Sequence, residues 1–205
     1  MRLWTIIFLG IAANLDNLGI GLTYGLKKIK VPFKSNLFIA VLSGIATLLS
    51  VFFGYLLSDF LPPKLANTFG GLIVSMIGIW TIIQQYLPQS QYKQANTSKS
   101  FWVKLGNLIN NPALADQDGS KTISVSESLL LGFALSLNCL GTGLGAGMTR
   151  LHSFGLTISI MFFSLLAIYA GTQIAGRYTS THLENNVNLL TGLILIIIGI
   201  YEIIF

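Results

Sequence analysis

The sequence predicts an all-α polytopic membrane protein, with six transmembrane helices arranged as two inverted three-helix repeats. Three observations carry that expectation. Of the 205 residues, 53% are hydrophobic and only 9% charged, against roughly 25% charged in ordinary soluble domains. Apolar runs recur near residues 3–26, 35–58, 67–87, 128–148, 155–175 and 186–205, each long enough to cross a hydrocarbon core of about 30 Å. The chain also repeats itself: residues 9–26, LGIAANLDNLGIGLTYGL, return as residues 131–148, LGFALSLNCLGTGLGAGM.

Taken in order, the first span opens with Met1 and Arg2 and reaches Ala12 and Ala13, a pattern shared with signal peptides. Its repetition inside the chain predicts that it is retained. Asp16 lies within this span. A charged aspartate at mid-membrane costs about 2.5–3.5 kcal/mol on insertion scales, so it is expected to face protein or water and to have a task. Lys27, Lys28, Lys30, Val31, Pro32 and Lys34 form a basic turn before the second span, and Asp59, Pro62, Pro63 and Lys64 divide the second from the third. From Pro88 to Ser126 the composition shifts to Gln, Ser, Asn, Lys and Asp. The expected organisation is therefore repeat one over 1–87, a connecting loop over 88–127 and repeat two over 128–205. Arg150, His152 and Ser153 separate the fourth and fifth spans, and residues 177–185 the fifth and sixth.

Basic residues set the orientation. Lys27, Lys28, Lys30, Lys34, Lys93, Lys99, Lys104, Lys121 and Arg177 fall in the first, third and fifth loops, whereas Arg2, Lys64 and Arg150 fall on the other side. The positive-inside rule then places the central loop in the cytoplasm and both termini outside, in the plasma membrane. The net charge of +5 is thereby assigned to topology and lipid contact, and no nucleic-acid partner is expected. The single cysteine, Cys139, excludes an intrachain disulfide and a multi-cysteine metal site and reads as a packing residue. Asp59 and Glu202, near span ends, and the loop residues His152 and His182 are expected to be solvated.

Sliding the first stretch onto the second superimposes Leu9 on Leu131, Gly10 on Gly132, Gly21 on Gly143 and Gly25 on Gly147, and puts Asn138 where the first copy has Asp16. Gly71-Leu72-Ile73 and Gly78-Ile79-Trp80 align with Gly192-Leu193-Ile194 and Gly199-Ile200-Tyr201. The unit is thus three helices. An odd unit forces the second copy to enter from the opposite side, the symmetry of secondary transporters, whose sites lie near the midplane where the repeats meet. Small neighbours at helical spacing, Ala12, Ala13, Gly19 and Thr23 around Asp16, and Ala134, Gly141 and Gly145 around Asn138, predict faces turned to other helices. Ser43, Thr47, Ser50, Gly54 and Ser58 of the second span and Ser164, Ala167 and Gly171 of the fifth are the expected partner faces. One carboxylate, the amides of Asn14, Asn17 and Asn138, the hydroxyls of Ser136 and Thr142, and carbonyls freed near Gly19, Gly21 and Gly25 make an oxygen-rich set. Such a set suits a hard divalent cation such as manganese, magnesium or calcium. No histidine lies within a span, so nothing recommends zinc or copper.

The paired LGxAxxL-[D/N]-xLGxGLxxG signatures, with six spans and a central loop, resemble the bacterial manganese efflux pump (MntP) family. The stretches NLDNLGIGLTYGL and ADQDGSKTIS more closely resemble its sporulation-associated YtaF-like branch. The resemblance implies a secondary transporter, not an enzyme, that exports a divalent cation, most readily manganese(II), by alternating access and requires no cofactor. It also implies an acid in each repeat, both carrying the cation. Here the first is Asp16, and Asn138 stands in the second place, which lowers the expected affinity and proton-exchange capacity. No span combines a nucleophile, a base and an orienting group, which is why catalysis is not expected. The lipid bilayer and the cation are the expected partners, and a homo-oligomer is compatible with the pattern.

The central loop offers a second candidate site. Asp116, Asp118, Ser120, Thr122, Ser124 and Glu127 occupy positions 1, 3, 5, 7, 9 and 12 of an EF-hand calcium loop, with Ile123 at the apolar position eight. Position six, normally glycine, is Lys121. The same residues also read as a polar linker ending in a capping box of Ser124 and Glu127, which would start the fourth span. The loop supports an alternative function: a non-transporting, sporulation-associated membrane protein that responds to calcium.

Overall fold

The computed structural model describes residues 2–86, 108, 112–177, 193–201 and 203–204. The architecture is all-helical: α1 (Arg2–Ala12), α2 (Leu15–Leu26), α3 (Phe33–Asp59), α4 (Pro63–Tyr86), a 3-10 turn at Pro112–Ala115, α5 (Val125–Met148) and α6 (Ser153–Arg177), with a last helical stretch over 193–201. Among the described residues, four segments are long and apolar enough to cross a membrane: Leu3–Leu26, Phe33–Asp59, Val125–Met148 and Ser153–Ala175. Within α4 the apolar part is the shorter Lys64–Trp80. The expectations for residues 88–107, His182 and Glu202, and for the start of the sixth span, lie outside the described residues.

The first expected span is not one continuous helix. α1 ends at Ala12 and α2 begins at Leu15, with Asn14 between them at φ −121° and ψ 8°. The cause is a side chain: Asn14 Nδ2 donates to the Gly10 carbonyl at 2.8 Å and to the Ile160 carbonyl of α6 at 3.1 Å. Its amide thus competes with the backbone for a carbonyl one turn back, as short polar side chains do at helix interruptions. The break falls ahead of Asp16. Gly19, Gly21 and Gly25, where loosening was expected, are regular helix.

α2 and α5 end alike. Lys28 (φ 57°) and Arg150 (φ 54°) adopt left-handed conformations, each donating its N–H to the carbonyl three residues back, Gly25 or Gly147. The next residue, Ile29 or Leu151, donates to Tyr24 or Ala146 and is buried. Both are Schellman closures with a cation where glycine is usual, at the helix end that favours positive charge. The start of α5 is fixed by the expected capping box: Ser124 Oγ accepts from the Glu127 N–H, and Glu127 Oε2 accepts from the Ser124 N–H at 2.9 Å. The helix consequently begins at Val125, ahead of the expected 128. Ser124→Ala removes this cap and should lower stability by about 1 kcal/mol, read as a reduced melting temperature of the purified protein.

Glycines decide which helices touch. A Cβ on Gly21 would lie 2.6 Å from the Ile168 carbonyl oxygen, and one on Gly171 2.5 Å from that of Leu18, so α2 and α6 cross backbone to backbone. In the same way Gly54 faces the Leu144 carbonyl and Gly147 that of Val51, joining α3 to α5. Between these two tight pairs the α3–α6 seam is softer: Gly44 faces Met161 Cγ at 2.5 Å, a flexible thioether that repacks readily. Lys30 forms a parallel bridge with Thr122, through Lys30 N to Lys121 O at 2.8 Å and Ile123 N to Lys30 O at 2.9 Å. This brings the end of α2 beside the start of α5, so the two matching helices run in opposite directions. At the far end Arg150 pairs with Asp59 at 2.6 Å and lies 5.1 Å over the Tyr55 ring. Asp59 therefore has a partner in addition to solvent. The pair is half-exposed, which limits it to about 0–1 kcal/mol.

Candidate cation site

The break in the first span places Asp16 in the first turn of α2, where exposed backbone N–H groups and the helix dipole favour a carboxylate. Asp16 Oδ1 accepts the Asn17 N–H at 2.9 Å. Across the interior, Asn138 Nδ2 on α5 donates to Asp16 Oδ2 at 3.1 Å. The two residues matched by the repeat are therefore in direct contact, 122 residues apart in sequence. Both are partly buried, and next to them, one turn along α2, an added Cβ on Gly19 meets nothing within 4 Å. There is room beside the pair.

The other expected ligands divide. Asn14 and Asn17 are buried but turn toward α6: Asn17 Nδ2 donates to Asn14 Oδ1 at 2.9 Å and to Ser164 Oγ at 3.1 Å. Ser136 donates to the Phe133 carbonyl at 2.8 Å, and Thr142 is 3.3 Å from that of Cys139, both within α5. Cys139 itself is buried and free. The pair nearest to receiving a cation is thus Asp16 with Asn138. For that purpose the Asn138 amide has to present Oδ1 in place of Nδ2, a half-turn about its last torsion. Carboxylate and amide oxygens are ligands for hard cations, with carbonyls or water completing the shell.

The loop before α5 holds a second cluster. Asp116, Asp118 and Glu127 each offer a carboxylate oxygen, all within 4.8 Å of one another. Lys121, at the position usually glycine, has φ 59° and donates its N–H to Asp116 Oδ2 at 3.0 Å. Ser120 N–H bonds Asp118 Oδ1 at 2.8 Å and holds that carboxyl below the usual carboxylate range. Ser120 Oγ donates to the Thr122 carbonyl at 3.0 Å. Buried Glu127 accepts from the Gln117 N–H at 2.7 Å while closing the capping box. One oxygen of Asp116, Oδ1, is buried without a hydrogen-bond partner among the described residues. The Lys30 bridge ties this loop to the basic turn, and Ser35 Oγ, donating to the Ile123 carbonyl at 2.7 Å, ties it to the start of α3. The capping box and the carboxylate cluster share Glu127. Sequence spacing alone had no signal for the link to Lys30 and Ser35.

A family model described as "Putative manganese efflux pump" matches residues 1–82 and 107–203. The chain belongs to the manganese efflux pump (MntP) family. Within reach of that family, a protein of Bacillus subtilis (strain 168) named "Probable sporulation protein YtaF" is 33% identical, over 98% of this chain and 100% of its own. A "Putative manganese efflux pump MntP" of Syntrophomonas wolfei subsp. wolfei (strain DSM 2245B / Goettingen) is 23% identical over 96% of this chain and 95% of its own. No solved structure matches the chain. Membership in the MntP family and the apolar helices agree on a multi-pass membrane protein.

Proposed function

We propose that this MntP-family protein exports a divalent cation, manganese(II), across the plasma membrane by alternating access between two inverted three-helix repeats. Both termini then lie outside and the 88–127 loop in the cytoplasm. The observation that carries the reading is the Asp16–Asn138 contact at the start of a broken helix, since half-helix ends within membrane spans are where transporters hold charged cargo. The inverted relation draws support from the opposed directions of the matched helices. The Schellman closures at Lys28 and Arg150 recur at the spacing that separates Asp16 from Asn138. Packing is exchanged, with α2 on α6 and α3 on α5. The two glycine-locked pairs move as units about the Met161 seam, and the Asp16–Asn138 bond, which links them, opens when the ion enters. The test is efflux from manganese-loaded proteoliposomes. Wild type should empty them and Asp16→Ala should match protein-free controls; equal efflux by both would remove this function.

The loop cluster favours a second reading, in which calcium occupies Asp116, Asp118, Ser120, Thr122 and Glu127 and the protein serves a sporulation-stage role of the kind that the YtaF name denotes. The partnerless Asp116 Oδ1 favours it. Calorimetric titration of the whole protein should show calcium binding that Asp118→Asn weakens at least about tenfold, or 1.4 kcal/mol. No heat at millimolar calcium would leave the loop as a helix cap and tether only.

A further inference from the structure

Asn14, Asn17 and Ser164 form a buried cluster between the first span and α6, whereas Asp16 meets Asn138 of α5. Asn14 is 1% exposed, Asn17 2% and Ser164 0%. Asn17 uses both amide hydrogens, on Asn14 Oδ1 and Ser164 Oγ, yet its Oδ1 is buried with no hydrogen-bond partner among the described residues. An orphaned buried amide oxygen costs about 1–3 kcal/mol, so a native structure that keeps one calls for an explanation.

Rotating the Asn17 amide by a half-turn exchanges its oxygen and nitrogen. The oxygen then stands where Nδ2 is now, 2.9 Å from Asn14 Oδ1 and 3.1 Å from Ser164 Oγ. The turn gives up both hydrogen bonds and leaves the amide N–H groups without a described partner, so it is favourable only with a cation bound to the exposed oxygens. Two amide oxygens at 2.9 Å with no hydrogen between them repel unless a cation bridges them. The Asn17 oxygen with its two neutral oxygen neighbours at 2.9 and 3.1 Å would form part of the shell of a cation with metal–oxygen distances of about 2.3–2.6 Å. No carboxylate belongs to the set, and burial without a counter-charge strongly disfavours a divalent ion. A monovalent ion of that size remains, which is sodium.

We propose that Asn14, Asn17 and Ser164 form a sodium site, separate from the Asp16–Asn138 site, and that sodium entering there is the coupling ion. The coupling role rests on the transport reading above; the site does not. The matched positions of Asn14 and Asn17 in the second half, Ser136 and Cys139, carry no amide, and α5 is unbroken there, so the described residues hold one such site.

The experiment is thermal unfolding of the purified full chain in sodium chloride or choline chloride at equal ionic strength, with no manganese present. Wild type and Asp16→Asn should both melt roughly 5 °C higher in saturating sodium. Ser164→Ala should lose that shift, and Asn17→Asp, which keeps the oxygens and adds charge, should enlarge it. Identical melting of wild type in the two salts overturns the site. A sodium shift that Asp16→Asn abolishes and Ser164→Ala retains also overturns it, by placing the ion at Asp16. Because the readout contains no transport step, absence of manganese efflux with an intact sodium shift would refute the export reading and the coupling role alone.

Discussion

Asp16→Asn should reduce manganese efflux at least about a hundredfold while leaving the purified protein folded. The substitution keeps the shape of the side chain and its contacts: an amide oxygen can still accept the Asn17 N–H, and the Asn138 amide can turn to meet an amide nitrogen. Only the charge is lost. A unit charge and a divalent ion 4 Å apart attract by about 8 kcal/mol at an effective dielectric of 20, and dehydration of the ion offsets much of that. A residual of about 2.8 kcal/mol already gives the hundredfold. The reciprocal change, Asn138→Asp, should tighten manganese binding by at least about tenfold, because a second carboxylate faces the same space. Proteoliposome efflux and a manganese binding isotherm check the two. Binding unchanged by Asn138→Asp would separate the residues functionally.

The second large effect is structural. Gly21→Leu should prevent accumulation of folded protein, because its Cβ would sit 2.6 Å from the Ile168 carbonyl and 3.0 Å from Gly171 Cα, and backbone cannot rotate aside as a side chain can. Overpacking usually costs about 1–3 kcal/mol, with more expected against main chain. It would also part α2 from α6. Gly19→Ala, two residues earlier on the same helix, meets nothing within 4 Å and should fold as wild type. Size-exclusion profiles of the two variants give the comparison, and similar behaviour of both would show that the α2–α6 crossing is not as close as described.

How legible was this in the sequence? The Asp16–Asn138 pairing was, because the repeated pattern sets the two residues at equivalent positions of matching helices, and those helices meet there. The capping box was legible because Ser124 and Glu127 stand at the fixed spacing that one helical turn imposes. The break at Asn14 was not. No proline or glycine marks it, and its cause includes a hydrogen bond to Ile160, 146 residues away. The same tertiary pull turns Asn14 and Asn17 from the expected ligand set toward Ser164. A list of oxygen-bearing residues near an acid carries no information on which helix each will face. Close packing by the glycines was legible from their helical spacing and holds at Gly21 against the Ile168 carbonyl, whereas the loosening expected near Gly19, Gly21 and Gly25 does not occur and an added Cβ on Gly19 meets nothing within 4 Å, a distinction that depends on what lies opposite.

A cation held between two oppositely directed helices by one carboxylate and its amide counterpart should be visible in anomalous diffraction at the manganese edge, from crystals grown with the metal. A peak is expected within bonding distance of the Asp16 and Asn138 oxygens and should disappear in Asp16→Asn. A peak confined to the Asp116–Glu127 loop, or one that survives that substitution, would rule the Asp16 site out.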